Sequence, residues 1–211
     1  MNTVRGYTLI EVIMIVVIVG ILAAVGFPAM QSTFGRSDAE TYTSEMSALL
    51  KYARAQAYTN NEIVTVCPMN EGETSCAGSV NDWKEKTVVV FFDRNNNGDI
   101  DTETERTKRE DILKRIPALE TKTEQDHFVP TTNANALATR KRITFTRTGS
   151  LDSGNSVPRL TYCSGDTRGS SNYFHRQLTI NIGGQTTTIV PNYNSDPMKE
   201  LINVCGSNKP S

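Results

Sequence analysis

The chain has 211 residues, with 22 lysines and arginines against 23 aspartates and glutamates and a formal net charge of −1. A charge so close to zero excludes a protein that binds nucleic acid over its whole surface, because such proteins are strongly basic. Hydrophobic residues make up 37% of the chain and are concentrated in one N-terminal run, which excludes a multi-span membrane protein and a plain cytosolic enzyme.

The apolar run begins a few residues after the N-terminus. Residues 1–6 form a short polar segment. The stretch from Leu9 to Phe27 is long enough to span ~30 Å of hydrocarbon as a helix. One interpretation is a secretory signal peptide that is removed after the run. That interpretation leaves Glu11 unexplained, because a carboxylate within a membrane helix costs roughly 2.5–3.5 kcal/mol and therefore indicates a function.

The segment from Gly6 to Glu11 reads Gly-Tyr-Thr-Leu-Ile-Glu. It resembles the class III leader junction of type IV pilins and type II secretion pseudopilins. The resemblance implies that a prepilin peptidase cuts after Gly6 and methylates the new N-terminus, Tyr7, where the family more often has phenylalanine. Glu11 then becomes the fifth residue of the mature chain, and Pro28 matches the proline that kinks the helix in this family.

The resemblance also implies a role for the carboxylate of Glu11. In the family, this glutamate pairs with the positively charged N-terminal amine of a neighbouring subunit. Because either charge alone would be costly in an apolar filament core, formation of the pair favours one axial register between neighbouring subunits and also strengthens their association. The alternative is a carboxylate that reaches out to the lipid headgroups.

A second helical pattern follows a polar stretch that ends near Asp38. Five apolar residues, spaced i, i+3, i+4, i+7 and i+11, share one helix face: Met46, Leu49, Leu50, Ala53 and Ala57. Asn60 and Asn61 indicate its end, since asparagine tolerates the left-handed conformation that terminates helices. We predict one helix over residues 7–59, with a transmembrane segment at about 9–27 and an apolar stripe that packs on the remaining chain.

The remainder, residues 60–211, predicts a β-rich body. β-branched, partly alternating segments predict strands at 63–67, 87–92, 142–146, 178–182 and 186–190. The charged stretch 93–126 predicts a loop with a short strand at 112–116. Gly183 and Gly184 stand between the last two strands, which therefore form a predicted hairpin.

Four cysteines, all outside the apolar run, predict disulfides in an exported protein. Four cysteines allow three pairings. We favour Cys67–Cys76, which closes a short loop, and Cys163–Cys205, which fixes the C-terminal tail. Buried free thiols are the alternative, and the absence of any C-x-x-C pair disfavours a zinc site.

Several segments follow one another as in the GspH/FimT subfamily of these pilins, and are most similar to its FimU/FimT-type minor pilins. The matching segments are 53–57 (Ala-Arg-Ala-Gln-Ala), 64–68 (Val-Thr-Val-Cys-Pro), Trp83, 89–93 (Val-Val-Phe-Phe-Asp), 143–145 (Ile-Thr-Phe) and Gly149. The resemblance covers most of residues 7–151. It implies an α+β, type IV pilin-like fold, in which a long N-terminal helix packs on an antiparallel body of two small sheets.

The body offers little for catalysis. It has no G-x-S-x-G motif, and Gly183-Gly184 is not followed by the lysine of a phosphate-binding loop. His127 and His175 are interpreted as surface or loop residues. We therefore predict no enzymatic activity, no small-molecule substrate and no cofactor, with calcium as the one exception to weigh.

Residues 93–101 read Asp-Arg-Asn-Asn-Asn-Gly-Asp-Ile-Asp, like the first half of an EF-hand loop. The candidate oxygen ligands are Asp93, Asn95, Asn97, Asp99 and Asp101. The twelfth position of that loop needs a bidentate glutamate and here holds Thr104. The favoured interpretation is an Asn-Gly turn with solvated acids, and weak calcium binding is the alternative.

Seven basic residues stand between positions 140 and 176: Arg140, Lys141, Arg142, Arg147, Arg159, Arg168 and Arg176. Some members of the subfamily bind DNA through a C-terminal GRxR motif, but the equivalent place here reads Gly-Gly-Gln-Thr at 183–186. A solvated strand face is therefore the favoured interpretation. Direct DNA contact by Arg140, Lys141, Arg142 and Arg147 is the alternative.

These observations predict a minor type IV pilin that takes part in initiating pilus assembly in or near the tip complex and supports twitching motility, adhesion and DNA uptake. Its predicted partners are the prepilin peptidase, other minor pilins and the major pilin. The expected location is the inner membrane, with one span and a periplasmic body, and then a pilus or pseudopilus. The alternatives are a minor pseudopilin of type II secretion and a DNA-binding minor pilin for natural transformation.

Overall fold

A computed structural model describes residues 7–72, 74–78, 82–101, 111–118, 126–131, 142–152, 154, 158–164, 174–192 and 195–207. Over residues 25–35 it describes the backbone alone. The predicted leader, residues 1–6 with Gly6, lies outside the described residues. Contacts divide the chain into two compact units, residues 1–38 and 39–211.

The first element is a single helix, α1 (Leu9–Asn60), which begins in the first unit and ends in the second. In the first unit its large apolar side chains from Leu9 to Leu22 are 50–81% exposed. Among the described residues, no helix has both the length and the apolarity needed to cross a membrane. Pro28 lies within α1, and its side chain is outside the described part.

In the second unit, all five residues of the predicted apolar stripe on α1 are buried. The helix ends where the sequence predicts, because Asn61 adopts a left-handed backbone with φ of 54°. The side-chain amide of Asn60 donates a hydrogen bond to the carbonyl of Gln56 at 3.0 Å, which satisfies one of the last carbonyls of the helix.

In the described part of the chain, eight strands form two antiparallel sheets. Sheet 1 has the order β3-β2-β1-β5, with β1 (Val64–Pro68), β2 (Val88–Phe92), β3 (Ile112–Ile116) and β5 (Ile143–Phe145). Sheet 2 has the order β4-β6-β7-β8, with β4 (His127–Thr131), β6 (Arg159–Cys163), β7 (Arg176–Ile180) and β8 (Thr186–Ile189). Two shorter helices complete the fold, α2 (Asp82–Glu85) and α3 (Asp196–Ser207).

One hydrophobic core joins the stripe of α1 to both sheets. Sheet 1 contributes Val64, Val66, Val88, Val90, Ile143 and Phe145, and sheet 2 contributes Phe128, Leu160, Tyr162, Leu178 and Ile180. Trp83 of α2 lies in the same cluster and is 1% exposed. The two described sheets share no strand. The stripe of α1 packs against residues of both sheets, so the helix connects them in one core.

The predicted fold class is confirmed, since an N-terminal helix precedes two antiparallel sheets. Strands were predicted where β1, β2, β3, β5, β7 and β8 lie, and β7 pairs with β8 as the predicted hairpin. β4, β6, α2 and α3 were not predicted. In β4 the proline at position 130 argues against a strand, and the structure accommodates it because β4 is an edge strand.

Both disulfides are present in the structure. Cys67–Cys76 ties β1 to the segment that pairs with Met69, and Cys163–Cys205 ties β6 to α3. The second disulfide closes a loop of 42 residues and is buried with Val129 and Val204. It therefore fixes α3 on the face of sheet 2 that is turned away from α1.

Two glycine turns meet beside Arg54 of α1. Gly149 and Gly184 have φ of 74° and 75°, a backbone conformation that favours glycine. A Cβ placed on Gly184 would lie 2.1 Å from the carbonyl oxygen of Gly149. The guanidinium of Arg54 donates to that same carbonyl at 3.0 Å. This contact joins the β7–β8 hairpin to the turn after β5.

We expect Gly184→Ala to lower the free energy of unfolding by about 2–4 kcal/mol, because both the positive φ and the Gly149 carbonyl oppose a Cβ. Chemical denaturation measures the change. Gly183→Ala is the matched control, since a Cβ there meets only a side-chain oxygen of Asn181 at 3.4 Å. Equal stability of the two variants would contradict the close contact.

Candidate functional site

The first turn of α1 is closed by Thr8 and Glu11. The backbone N–H and the hydroxyl of Thr8 both donate to Oε2 of Glu11 at 3.1 Å. The carbonyl of Thr8 accepts the N–H of Glu11 in return at 3.1 Å. The sequence contains the signal, because Thr-x-x-Glu before an apolar run is a capping box; the predictions for Glu11 were pairing with a neighbouring subunit or contact with lipid headgroups, and they did not include this cap.

This arrangement holds the carboxylate of Glu11 at the N-terminal end of the helix. Such an end carries a partial positive charge, so a carboxylate is stabilised there. Oε2 is occupied by Thr8, and no described residue bonds to Oε1. The site can therefore accept a further cationic donor on Oε1 without losing the helix cap.

The loop after β2 is organised around Asp93. Its side chain is fully buried, and its carboxylate accepts the hydroxyl of Thr65 at 2.7 Å. It also accepts the backbone N–H groups of Asn97 at 2.9 Å and Gly98 at 3.1 Å. The interpretation of this loop as a turn of solvated acids is therefore wrong for Asp93, which is a buried acceptor that shapes the turn.

Arg142 contacts the same loop from the start of β5. Its guanidinium lies 3.9 Å from the carboxylate of Asp93 and donates to the carbonyl of Asn96 at 2.9 Å. Its side chain is 17% exposed. Of the candidate DNA contacts, Arg142 is thus turned into the protein, Arg147 is exposed, and Arg140 and Lys141 lie outside the described residues.

The outer acids of the loop are also hydrogen-bonded within it. The carboxylate of Asp101 accepts the side-chain amides of Asn95 at 2.5 Å and Asn97 at 3.3 Å. Asp99 donates its backbone N–H to the side-chain oxygen of Asn97 at 2.7 Å. In the described part of the chain, no group of three or more His, Cys, Asp or Glu side chains could hold a metal ion.

His127 lies in β4 of sheet 2, and His175 stands directly before β7 of the same sheet. His127 pairs with Cys163 across β4 and β6, and His175 accepts the N–H of Ser164 on Nδ1 at 3.1 Å. Their side chains are 7% and 2% exposed, so the interpretation as surface residues is wrong for both, whereas the position of His175 outside the strands agrees with a loop residue. Burial, and after it the nearby charges of His127 and Arg176, lower the pKa of His175 from 6.5 to about 4.

This pKa makes the stability of the body depend on pH. Because the folded-state pKa of His175 lies below the unfolded value, the unfolded chain binds more protons between pH 4 and 6.5. The contribution is complete above pH 6.5 and is lost as the pH falls towards 4, by about 3 kcal/mol in all. We expect denaturant titrations of wild type at pH 7 and pH 4.5 to differ by about 2 kcal/mol from this group.

His175→Asn is the matched variant for that measurement, because the asparagine oxygen can accept the N–H of Ser164 and does not titrate. Its free energy of unfolding should change less between the two pH values than that of wild type. An identical pH dependence for both proteins would show that His175 is not the group responsible.

Comparison with known proteins gives two family matches. Residues 43–184 match the family described as Type II transport protein GspH, and residues 1–27 match the Prokaryotic N-terminal methylation motif. The first match covers the last third of α1 and the chain as far as the β7–β8 turn. The second covers the segment with Thr8 and Glu11.

Two proteins of Pseudomonas aeruginosa, each described as Fimbrial protein, are 38% identical over 65 residues. That alignment covers 31% of this chain and 42% of each relative, so the chain spans less than half of the relatives' length. Two crystal structures of the Pseudomonas aeruginosa type IV minor pilin FimU are also similar, at 15% and 14% identity. They cover 76% and 74% of this chain and 92% and 99% of FimU, with TM-scores of 0.41 and 0.40.

Proposed function

The chain belongs to the GspH family of the type IV pilins and pseudopilins, and on that premise we propose that it is a minor pilin that helps to initiate pilus assembly. The observation that carries the proposal is the order of the two family matches, with a methylation motif at residues 1–27 on the N-terminal side of the GspH match at 43–184. Proteins of this family and fold are structural rather than enzymatic.

The exposed apolar surface of α1 supports assembly with other subunits. From Leu9 to Leu22 every large apolar side chain is at least half exposed. An apolar surface of that extent is not stable against water and requires lipid or the helices of other subunits. We propose the inner membrane as its location before assembly and the helical core of a pilus afterwards.

Processing follows from the methylation motif. We propose that a prepilin peptidase cuts after Gly6, so that the mature chain begins with N-methylated Tyr7 and carries Glu11 as its fifth residue. Other minor pilins and the major pilin are the proposed assembly partners. Roles in twitching motility, adhesion and DNA uptake follow from a place in or near the pilus tip.

The N-terminal sequence of the protein purified from its own cells tests the proposal. Mass spectrometry should find a peptide that begins with methylated Tyr7. Fractionation should find the protein in sheared pili, and deletion of its gene should abolish surface pili and twitching. A mature N-terminus after Ala24 or later, as a secretory signal peptide would leave, would rule the proposal out.

A minor pseudopilin of type II secretion is the second candidate, favoured by the description of the matched family as a type II transport protein. The same deletion separates the two machines. Loss of protein secretion with pili intact would establish the pseudopilin and exclude the pilin.

A further inference from the structure

Strand β8 forms one edge of sheet 2 and differs from the other sheet edges in the described part of the chain. On sheet 1, β3 carries Lys114 and Arg115, and β5 is covered because Asp152 donates its N–H to the carbonyl of Thr144 at 2.8 Å. On sheet 2, β4 contains Pro130 and is buried at every position. Charges, prolines and covering segments are the devices that keep edge strands from pairing with other chains.

Among the residues that the structure describes, β8 has none of these devices. It reads Thr-Thr-Thr-Ile and is followed by Val190, so the edge is uncharged and β-branched. Three of its four residues are exposed. Ile189 is 40% exposed and Val190 is 58% exposed.

The pairing with β7 fixes which backbone groups face outward. Asn181 donates its N–H to the carbonyl of Gln185 at 3.0 Å, so these two residues form a hydrogen-bonded pair next to the turn. In an antiparallel ladder, hydrogen-bonded pairs alternate with non-hydrogen-bonded pairs. Thr186 and Thr188 therefore belong to non-hydrogen-bonded pairs, and their N–H and C=O groups point away from β7. No described residue bonds to these outward groups.

We propose that the free edge of β8 pairs with an extended strand from a neighbouring pilin-family subunit. The outward N–H and C=O groups stand at alternate residues, so a partner that bonds to them needs an extended backbone with the same spacing. Ile189 provides an apolar contact for side chains on one face of the added strand. The occupant is therefore an uncharged, β-branched strand rather than a charged peptide.

The size of the edge indicates why the partner is another subunit of the assembly. Four residues of strand bury only a small part of the ~1,200 Å² that even small stable complexes bury. Such a contact forms when the partner is already held nearby, at high effective concentration. The inference rests on the proposed function, because subunits that share a membrane and a filament meet this condition.

A photo-crosslinking residue tests the contact in the full chain, as the only copy in its own cells. At Ile189 the residue should crosslink to a body strand of another pilin subunit, identified by mass spectrometry of the joined peptides. At Lys114, on the charged edge β3, the same residue should give a crosslink at least fivefold weaker. Equal yields at both positions, or crosslinks at Ile189 only to lipid or to a second copy of this chain, would overturn the inference.

Thr188→Pro removes the outward N–H and leaves the bonds to β7 intact. It should lower the Ile189 crosslink about fivefold or more, as expected for one lost backbone hydrogen bond and the bulk of the ring. Thr188→Val keeps the N–H and should crosslink as wild type does. An unaltered crosslink in Thr188→Pro, or its failure to fold, would overturn the outward assignment.

The two proposals fail separately in this experiment. If the wild-type chain is absent from the pilus fraction, the proposed function fails. If it is present in that fraction and Thr188→Pro crosslinks as wild type does, the pairing of β8 fails and the proposed function stands.

Discussion

Glu11→Ala is expected to reduce incorporation into a filament or initiation complex by a factor of hundreds to thousands. The neighbour's N-terminal amine would then enter an apolar core without its partner, and removal of one member of a buried charged pair costs ~3–5 kcal/mol. Leader cleavage and folding of the body should be unchanged. Piliation and crosslinking to partner pilins, in a strain with the variant as its only copy, measure the effect.

Glu11→Ala also removes the carboxylate that caps the first turn of α1. A control variant is needed to separate this effect from the loss of the charged pair. Thr8→Ala removes the hydroxyl that donates to Oε2 of Glu11, but it keeps the carboxylate and the backbone N–H of residue 8 that also donates to it. Loss of a helix cap costs ~1 kcal/mol, so this variant should lower assembly only severalfold. Glu11→Gln should also be milder than Glu11→Ala, because the amide can accept a hydrogen bond. Equal defects in Thr8→Ala and Glu11→Ala would assign the whole effect to the cap, and normal assembly of Glu11→Ala would end the pairing argument.

Asp93→Ala is expected to lower the free energy of unfolding of the body by about 3–5 kcal/mol. The substitution leaves the hydroxyl of Thr65 and two backbone N–H groups without the acceptor that they share, and it removes the carboxylate that lies 3.9 Å from the guanidinium of Arg142. Buried donors that lose their partner bear the full cost of desolvation. Denaturant titration of the purified chain measures the difference.

Asp99→Ala is the control from the same loop, because the side chain of Asp99 is exposed and should change stability by less than about 0.5 kcal/mol. The two variants also separate a structural loop from a calcium site. If the loop is purely structural, the melting temperature of wild type will be the same with calcium and with a chelator. A rise with calcium that Asp99→Ala abolishes would establish the weak calcium site instead.

Long periodic segments made most of the fold predictable. The stripe on α1 and the strands rich in β-branched residues follow from spacing alone, because one face of each element must be buried. β4 and β6 were missed for a physical reason. In β4 the proline argues against a strand, but a proline is tolerated because β4 lies at the edge of its sheet. In β6 polar residues alternate with Leu160 and Tyr162 over only five positions, which is too short a pattern to predict a strand.

The features of the candidate site that depend on neighbouring residues in the sequence were predictable. The family junction and the position of Glu11 could be read from contiguous residues. The burial of Asp93, His127 and His175 could not, since it depends on residues far apart in sequence, such as Thr65 and Arg142 around Asp93. A polar side chain looks the same in the sequence whether water or a distant hydroxyl satisfies it.

No disulfide cross-links the second half of α1 to the sheets that cover it. All four cysteines lie in the body, at positions 67, 76, 163 and 205, so neither disulfide includes the helix. The buried residues from Ala39 to Ala57 spread over about 27 Å of helix, at 1.5 Å per residue. A pull along the helix axis would load these contacts in parallel, as shear, and would not peel them one at a time. Mechanical resistance of the subunit would therefore scale with the length of the buried stripe, whereas the disulfides would limit how far the body extends after the stripe has slipped.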